Sequence, residues 1–192
     1  MTTSETTLDS KMTTNDLVKS ELIFLRALES TDLERTHQWH NDTSLYSTLG
    51  GTFHYVSLDV EKRWLQAKMQ VSTQETNLAI CLTSDRSHIG NIYLRDIDWV
   101  SRNAQVHLFI GDPDQRSRGF GQEAIQLIVQ HAFEDLGLGR LYLYVLAENA
   151  SAIHAYEKSG FSVEGNMKNH AFKNGTFKDV LVMGICVPHL VS

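Results

Sequence analysis

Two periodicities share this chain. Short runs in which nearly every residue is apolar alternate with segments whose apolar residues recur every three to four positions. The first read as strands and the second as amphipathic helices. Leu22–Arg26 is the first predicted strand. Thr31 or Asp32 is placed to cap a helix running to about His40, marked by Leu33, His37 and Trp39 and ended by Asn41-Asp42. Gly50-Gly51 reads as a loop. Ser57 then heads a second helix with Val60, Trp64, Leu65 and Met69 on its expected buried face. Asn77–Leu82, Ile89–Ile97 and Ala104–Ile110, joined by short polar turns, predict an antiparallel meander.

After Gly111 the pattern changes. A polar loop with two glycines runs into a helix marked by Ala124, Leu127, Ile128, Ala132 and Leu136 and closed by Gly137 and Gly139. Leu141–Leu146 is apolar at almost every place, which predicts burial on both faces. Strand, helix and strand form a crossover, so these two strands should run parallel. A short helix over Glu148–Ser159 follows, then strand fragments Phe161–Gly165 and Ala171–Phe172. The Asn174-Gly175 hairpin turn and a last strand over Phe177–Val187 complete the reading. The Thr- and Ser-rich stretch before residue 21 lacks the basic and apolar regions of a signal peptide and reads as a mobile tail. Residues 21–192 read as one domain.

Composition narrows the class without naming a function. The chain has 192 residues, 42% hydrophobic and 21% charged, with a formal net charge of −6. These are values of an ordinary globular protein and not of a basic nucleic-acid-binding domain. No run approaches the roughly 20 apolar residues of a membrane helix. Cys81 and Cys186 stand in apolar runs and are expected to be small buried side chains, which makes the reducing cytoplasm the default compartment. No metal-ligand spacing is present, so no metal is expected.

Two segments carry chemistry. In Arg116-Ser117-Arg118-Gly119-Phe120-Gly121, between a strand and a helix, the glycines let backbone approach a ligand. The free amides and dipole of the helix start favour an anion, most naturally a phosphate or pyrophosphate. The bland alternative is a helix entry whose glycines only ease a turn. In the second segment Asn149 can cap a helix, and Ala152 and Tyr156 share one face four residues apart. Tyr156 brings an O–H that a half-buried core tyrosine would bring equally.

In this order the two segments resemble the GNAT superfamily of acetyl-CoA-dependent N-acetyltransferases. The loop matches its Arg/Gln-x-x-Gly-x-Gly/Ala signature, and Asn149, Ala152 and Tyr156 match its pantetheine motif. Ile110-Gly111-Asp112, Tyr156–Phe161 and Phe172–Gly175 resemble the branch that holds ribosomal-protein N-terminal, spermidine and amino-sugar acetyltransferases. The resemblance implies an α/β (α+β) fold: a mixed central sheet, largely antiparallel with one splayed parallel strand pair, flanked by helices. It implies acetyl-CoA as co-substrate, its pyrophosphate on the amides of Arg116, Ser117, Arg118, Gly119, Phe120 and Gly121. The acetyl carbonyl is expected at backbone of Phe109, Ile110 and Gly111, an oxyanion-type site. The acceptor is then a small-molecule or peptide amine that attacks directly; nucleic acid and membrane are not expected partners, and a homodimer is admitted.

The resemblance also assigns Tyr156 as the acid that protonates the departing thiolate. Related sequences carry a Glu where this chain has Gln105, and His107, two residues along the same strand face, is the expected base. Glu148, His40 and His170 are lesser candidates, and a packed core histidine is the alternative for His107. The first two helices and the 48–56 loop should wall the acceptor, with Trp39, Asp42 and Tyr55 as contacts and Asp42 able to hold an ammonium. A non-catalytic acyl-CoA-binding sensor is the contrasting function; Gln105 favours it, and Tyr156 and Asn149 oppose it.

Overall fold

The computed structural model describes residues 16–187. Eight strands form one sheet: β1 (Asp16–Lys19), β2 (Ile23–Ala27), β3 (Thr76–Leu82), β4 (His88–Asp98), β5 (Asn103–Ile110), β6 (Arg140–Leu146), β7 (Ser162–Lys173) and β8 (Thr176–Cys186). Their order across the sheet is β1-β2-β3-β4-β5-β6-β8-β7. Every neighbouring pair is antiparallel except β5 with β6. The helices are α1 (Leu33–His40), α2 (Thr43–Thr48), α3 (Leu58–Lys68), α4 (Phe120–Gln130) and α5 (Ala150–Lys158). This is the mixed, mostly antiparallel architecture with one parallel pair that the sequence implied. Among the described residues no helix is long and apolar enough to cross a membrane.

Helices cover both faces of the sheet, which explains the continuous apolar runs of β2, β3 and β4. Ile23, Leu25, Leu78, Ile80, Ile92 and Leu94 face α4, whose Ala124, Ile125 and Ile128 complete one core. Phe24, Ala79, Cys81 and Tyr93 point the other way, against Trp39 of α1, Leu45 of α2 and Leu65 of α3. Successive strand residues point to opposite faces, so both cores draw on the same strands.

Several expectations change. Asp16–Lys19, assigned to the tail, pairs with β2; residues 1–15 lie outside the described residues, as do 188–192. Asp32 makes no cap bond to α1. It is buried and takes both guanidinium nitrogens of Arg26, at 2.7 and 2.8 Å. Burial pushes its carboxyl up, but Arg26 and His88 outweigh burial and hold it below the usual aspartate range. On α3 the buried residues are Glu61 and Leu65, while Val60 and Met69, predicted inward, are exposed. Strand β6 is not buried on both faces: Leu141, Leu143 and Val145 are inside, and Tyr144 is exposed. Cys186 is exposed rather than buried. The two fragments after Gly160 are one strand, β7, interrupted by register shifts near Gly165 and before Ala171.

The feature that positions chemistry is the brevity of the parallel pair. Strands β5 and β6 are in register only at Asn103, Ala104 and Gln105 with Arg140, Leu141 and Tyr142. Beyond Gln105 the two strands part, although β5 continues to Ile110 and β6 to Leu146. A wedge opens through the sheet, from the α4–α5 face to the α1–α3 face.

Candidate active site

One end of the wedge is bounded by the glycine loop. Gly119 has φ of 89° at the N-cap of α4, a left-handed conformation that suits glycine. A Cβ there would have no protein atom within 4 Å, so open space lies in front of this backbone. The first helical bond runs from Glu123 N–H to Gly119 O. The amides of Phe120, Gly121 and Gln122 therefore have no intrahelical acceptor, and they stand at the positive end of α4. A Cβ on Gly121 would meet Leu108 and Ile110 at 3.7 and 3.9 Å, ordinary contact distances. Of the two glycines, Gly119 is the one that needs to be bare.

Arg116 plays a different part from the amides after it. Its N–H closes the turn over Pro113–Gln115 by donating to Pro113 O. Its guanidinium donates to the carbonyls of Ile110 (3.1 Å) and Gly111 (2.8 Å) and pairs with Asp42 at 3.2 Å. It ties the loop to the end of β5 and to the start of α2.

The lining of the wedge follows from strand alternation. Gly111 N–H donates to Ile89 O at 2.9 Å. Antiparallel partners bond at alternate residues, so Leu108 and Ile110 turn their N–H groups away from β4 and into the wedge. Of the three residues expected around the acetyl carbonyl, Ile110 has the free donor. Asn149 caps α5 through Ala152 N–H at 3.2 Å, and its amide reaches across to Thr48 O at 3.2 Å. Tyr156 is 7% exposed, packed beside Phe161, and burial pushes its phenol up to about 12. Such a phenol stays protonated at neutral pH and can give a proton to a thiolate.

On the other face a cavity of about 210 Å³ adjoins β4 and β5, lined by His40, Leu45, Tyr46, Leu49, Gly51, Trp64, Tyr93, Arg95, His107 and Phe109. Cross-strand pairing sets Tyr93 beside His107 and Arg95 beside Gln105. Lys173, from β7, donates to the carbonyls of Tyr46 and Gly51 and holds the segment between them over the cavity. His40 Nδ1 lies 2.7 Å from Glu61 Oε2, and the ring stands edge-on to Trp64. Four polar atoms on or beside the cavity are buried without a partner: Glu61 Oε1, Tyr93 Oη, Arg95 Nε and His107 Nδ1. Unmatched polar atoms gathered around one cavity offer bonding positions to water or a polar ligand. Burial, then the charges of Arg95 and His40, push the His107 imidazole down to about 4. It is neutral near pH 7 and a weak proton acceptor.

The predicted acceptor contacts are scattered. Trp39 is 4% exposed and packs edge-on against His88 and Phe109, and a Cβ on Gly111 would drive into its indole. It borders a hollow on the outer side of the loop and does not line the 210 Å³ cavity. Asp42 caps α2, accepting from Ser44 and Leu45, and is taken by Arg116. Tyr55 is 86% exposed, held to the cavity rim only through Phe53 and Tyr46. Of the lesser base candidates, His40 lines the cavity, Glu148 pairs with Lys178 at 2.6 Å, and His170 is exposed. Sequence reading missed Glu61, Tyr93 and Arg95. The one available signal was Glu61, a charge on the helix stripe that also carries Trp64 and Leu65.

A wedge between parting parallel strands, with a bare helix start at one end and a polar cavity at the other, suits an extended phosphate-bearing ligand. The model of the acetyltransferase (GNAT) domain matches residues 23–162, and the chain belongs to that family. It is an acetyl-CoA-dependent N-acetyltransferase. Similar proteins include spermidine N(1)-acetyltransferase of Vibrio cholerae, 32% identical over 84% of this chain and 91% of that protein. The enzyme of the same name from Escherichia coli K12 is 29% identical over 84% of each chain. A crystal structure of the Vibrio cholerae spermidine N-acetyltransferase in complex with CoA and spermine superposes with a TM-score of 0.79. It is 29% identical and covers 85% of this chain and 95% of that one.

Proposed function

We propose that this enzyme acetylates a small primary amine held in the His40–Phe109 cavity, by direct attack on acetyl-CoA threaded through the β5–β6 wedge. The observation that carries the reading is the parting of β5 from β6 after Gln105, which joins the amides of α4 to a cavity rich in unmatched polar groups. The pyrophosphate rests on the amides from Ser117 to Gly121, and the pantetheine arm takes up the free edge of β5. The acetyl oxygen lies at Ile110 N–H, where a fixed donor stabilises developing charge.

The amine arrives mostly as an ammonium, with a pKa near 10, and must lose a proton before attack. We assign that proton to His40. Glu61 fixes Nδ1 of the ring, as a buried carboxylate orients the histidine of a hydrolase triad, and Nε2 is left to accept. His107, pushed down to about 4, cannot hold a proton near neutrality and serves instead as a hydrogen-bonding wall. The N–C bond then forms as the C–S bond breaks, the thiolate takes the Tyr156 proton, and the second amine proton, shed as the amide forms, restores the phenol. The names of the relatives make spermidine the first acceptor to assay.

The test is amine-driven thiol release by two variants. His40→Gln should lose about 10²–10⁴-fold in kcat/KM, and His107→Gln should keep most of it. A loss of that size in His107→Gln, with His40→Gln near wild type, would reverse the assignment. Acetyl-CoA binding without release for any amine would favour the sensor.

A further inference from the structure

The acceptor cavity carries a charge that acetyl transfer alone does not call for. Arg95 lines it with its guanidinium over the Tyr93 ring, 4.9 Å from Cζ to centroid. Its Nε is buried without a hydrogen-bond partner, and among the described residues no carboxylate stands within ion-pair distance of it. Glu75, whose carboxyl Arg95 helps to lower, is bonded to Lys68, and Glu61 is bonded to His40. A guanidinium keeps its charge in a protein, and its planar fork matches a carboxylate or a phosphate.

The opposite sign is present too. Glu61 is 0% exposed, and one of its oxygens has no partner. Tyr46 and Tyr93 lie within the field of both groups. Burial raises both phenols; the Asn91 side chain lowers that of Tyr93, and Glu61 pushes each up while Arg95 draws each down. The cavity thus has an anionic side at α3 and a cationic side at β4. A polyamine offers only cations along its length, and Arg95 would oppose it.

We infer that the acceptor is an amine that also carries an anionic group, a carboxylate or a phosphate, with Arg95 receiving the anion while the amine lies toward His40 and Glu61. This rests on the acetyl-transfer reading above. The anionic group is unchanged by the reaction: one amine proton goes to His40, nitrogen gains the acetyl group, the thiolate leaves with the Tyr156 proton, and the second amine proton restores the phenol.

The experiment compares thiol release from acetyl-CoA with β-alanine, 2-aminoethyl phosphate, ethanolamine and spermidine, for wild type, Arg95→Gln and Arg95→Lys. Wild type should favour one of the two anionic amines over ethanolamine by about tenfold or more in kcat/KM, equivalent to about 1.4 kcal/mol. Which of the two leads separates carboxylate from phosphate. Arg95→Gln should collapse that ratio, and Arg95→Lys should restore part of it. A wild-type preference for ethanolamine or spermidine over both anionic amines overturns the inference and leaves acetyl transfer standing. A ratio unmoved by Arg95→Gln, in a variant that still binds acetyl-CoA, also overturns it. Release with none of the four would overturn both readings. Should Arg95→Gln fail to fold, the wild-type ratios decide.

Discussion

Tyr156 is the proposed catalytic residue that can be named from sequence alone. Its place four residues after Ala152 puts it on the wedge side of α5, and burial keeps its phenol protonated far above neutrality. Tyr156→Phe keeps the ring and its packing against Phe161 and removes only the donor. We expect kcat to fall by about 10²–10⁴-fold with acetyl-CoA affinity nearly unchanged; wild-type turnover by the folded variant would mean that solvent protonates the thiolate. Glu61 illustrates the opposite case. Four residues after Ser57, it reads from sequence as a first-turn charge one place beyond capping-box spacing. Its burial follows from where His40 of α1 comes to lie beside α3, which is tertiary information. Asp42 and Trp39 were noticed for their chemistry, yet both are used up by structure, one as a cap and ion-pair partner and the other as core.

At the scale of elements, the α4 side of the sheet was more legible than the α1–α3 side. The glycine loop, the crossover to β6 and the Asn149 cap are local patterns, and each forms as read; the helix read as far as Leu136 is α-helical only to Gln130 and closes in a π turn over His131–Asp135. The short α2 was missed because Asn41-Asp42 ends one helix and Asp42 at once begins the next. The extent of β5–β6 pairing was not written locally either, since where two parallel strands part depends on what packs between them. The loop makes a discriminating prediction. Gly119→Val forces a β-branched residue into a left-handed conformation and fills the open space in front of the amides. Acetyl-CoA affinity, read by calorimetry, should weaken by about tenfold or more, about 1.4 kcal/mol. Gly121→Ala meets only ordinary contacts and should bind the cofactor like wild type. Equal losses in both variants would point to a general need for a flexible loop rather than to an anion seat at Gly119.

For the whole molecule, the sheet acts as a partition with one gap. In the proposed reading the cofactor lies on the side of α4 and α5, the acceptor on the side of α1 to α3, and the two reactants meet in the wedge beyond Gln105. Fold class and cofactor were legible because the motifs that bind acetyl-CoA are contiguous in sequence. The acceptor site was not, because its walls come from α1, α3, β4, β5 and the segment pinned by Lys173. This division predicts a kinetic mechanism. Two reactants approaching from opposite faces can be bound together, and neither cysteine lies in the wedge or the cavity to carry an acyl group. The most direct measurement is the initial rate of thiol release with acetyl-CoA and the best acceptor amine both varied. Intersecting double-reciprocal lines are predicted, from a ternary complex in which the acetyl group passes straight to the amine. Parallel lines, with an acetylated enzyme trapped when the amine is withheld, would contradict the account.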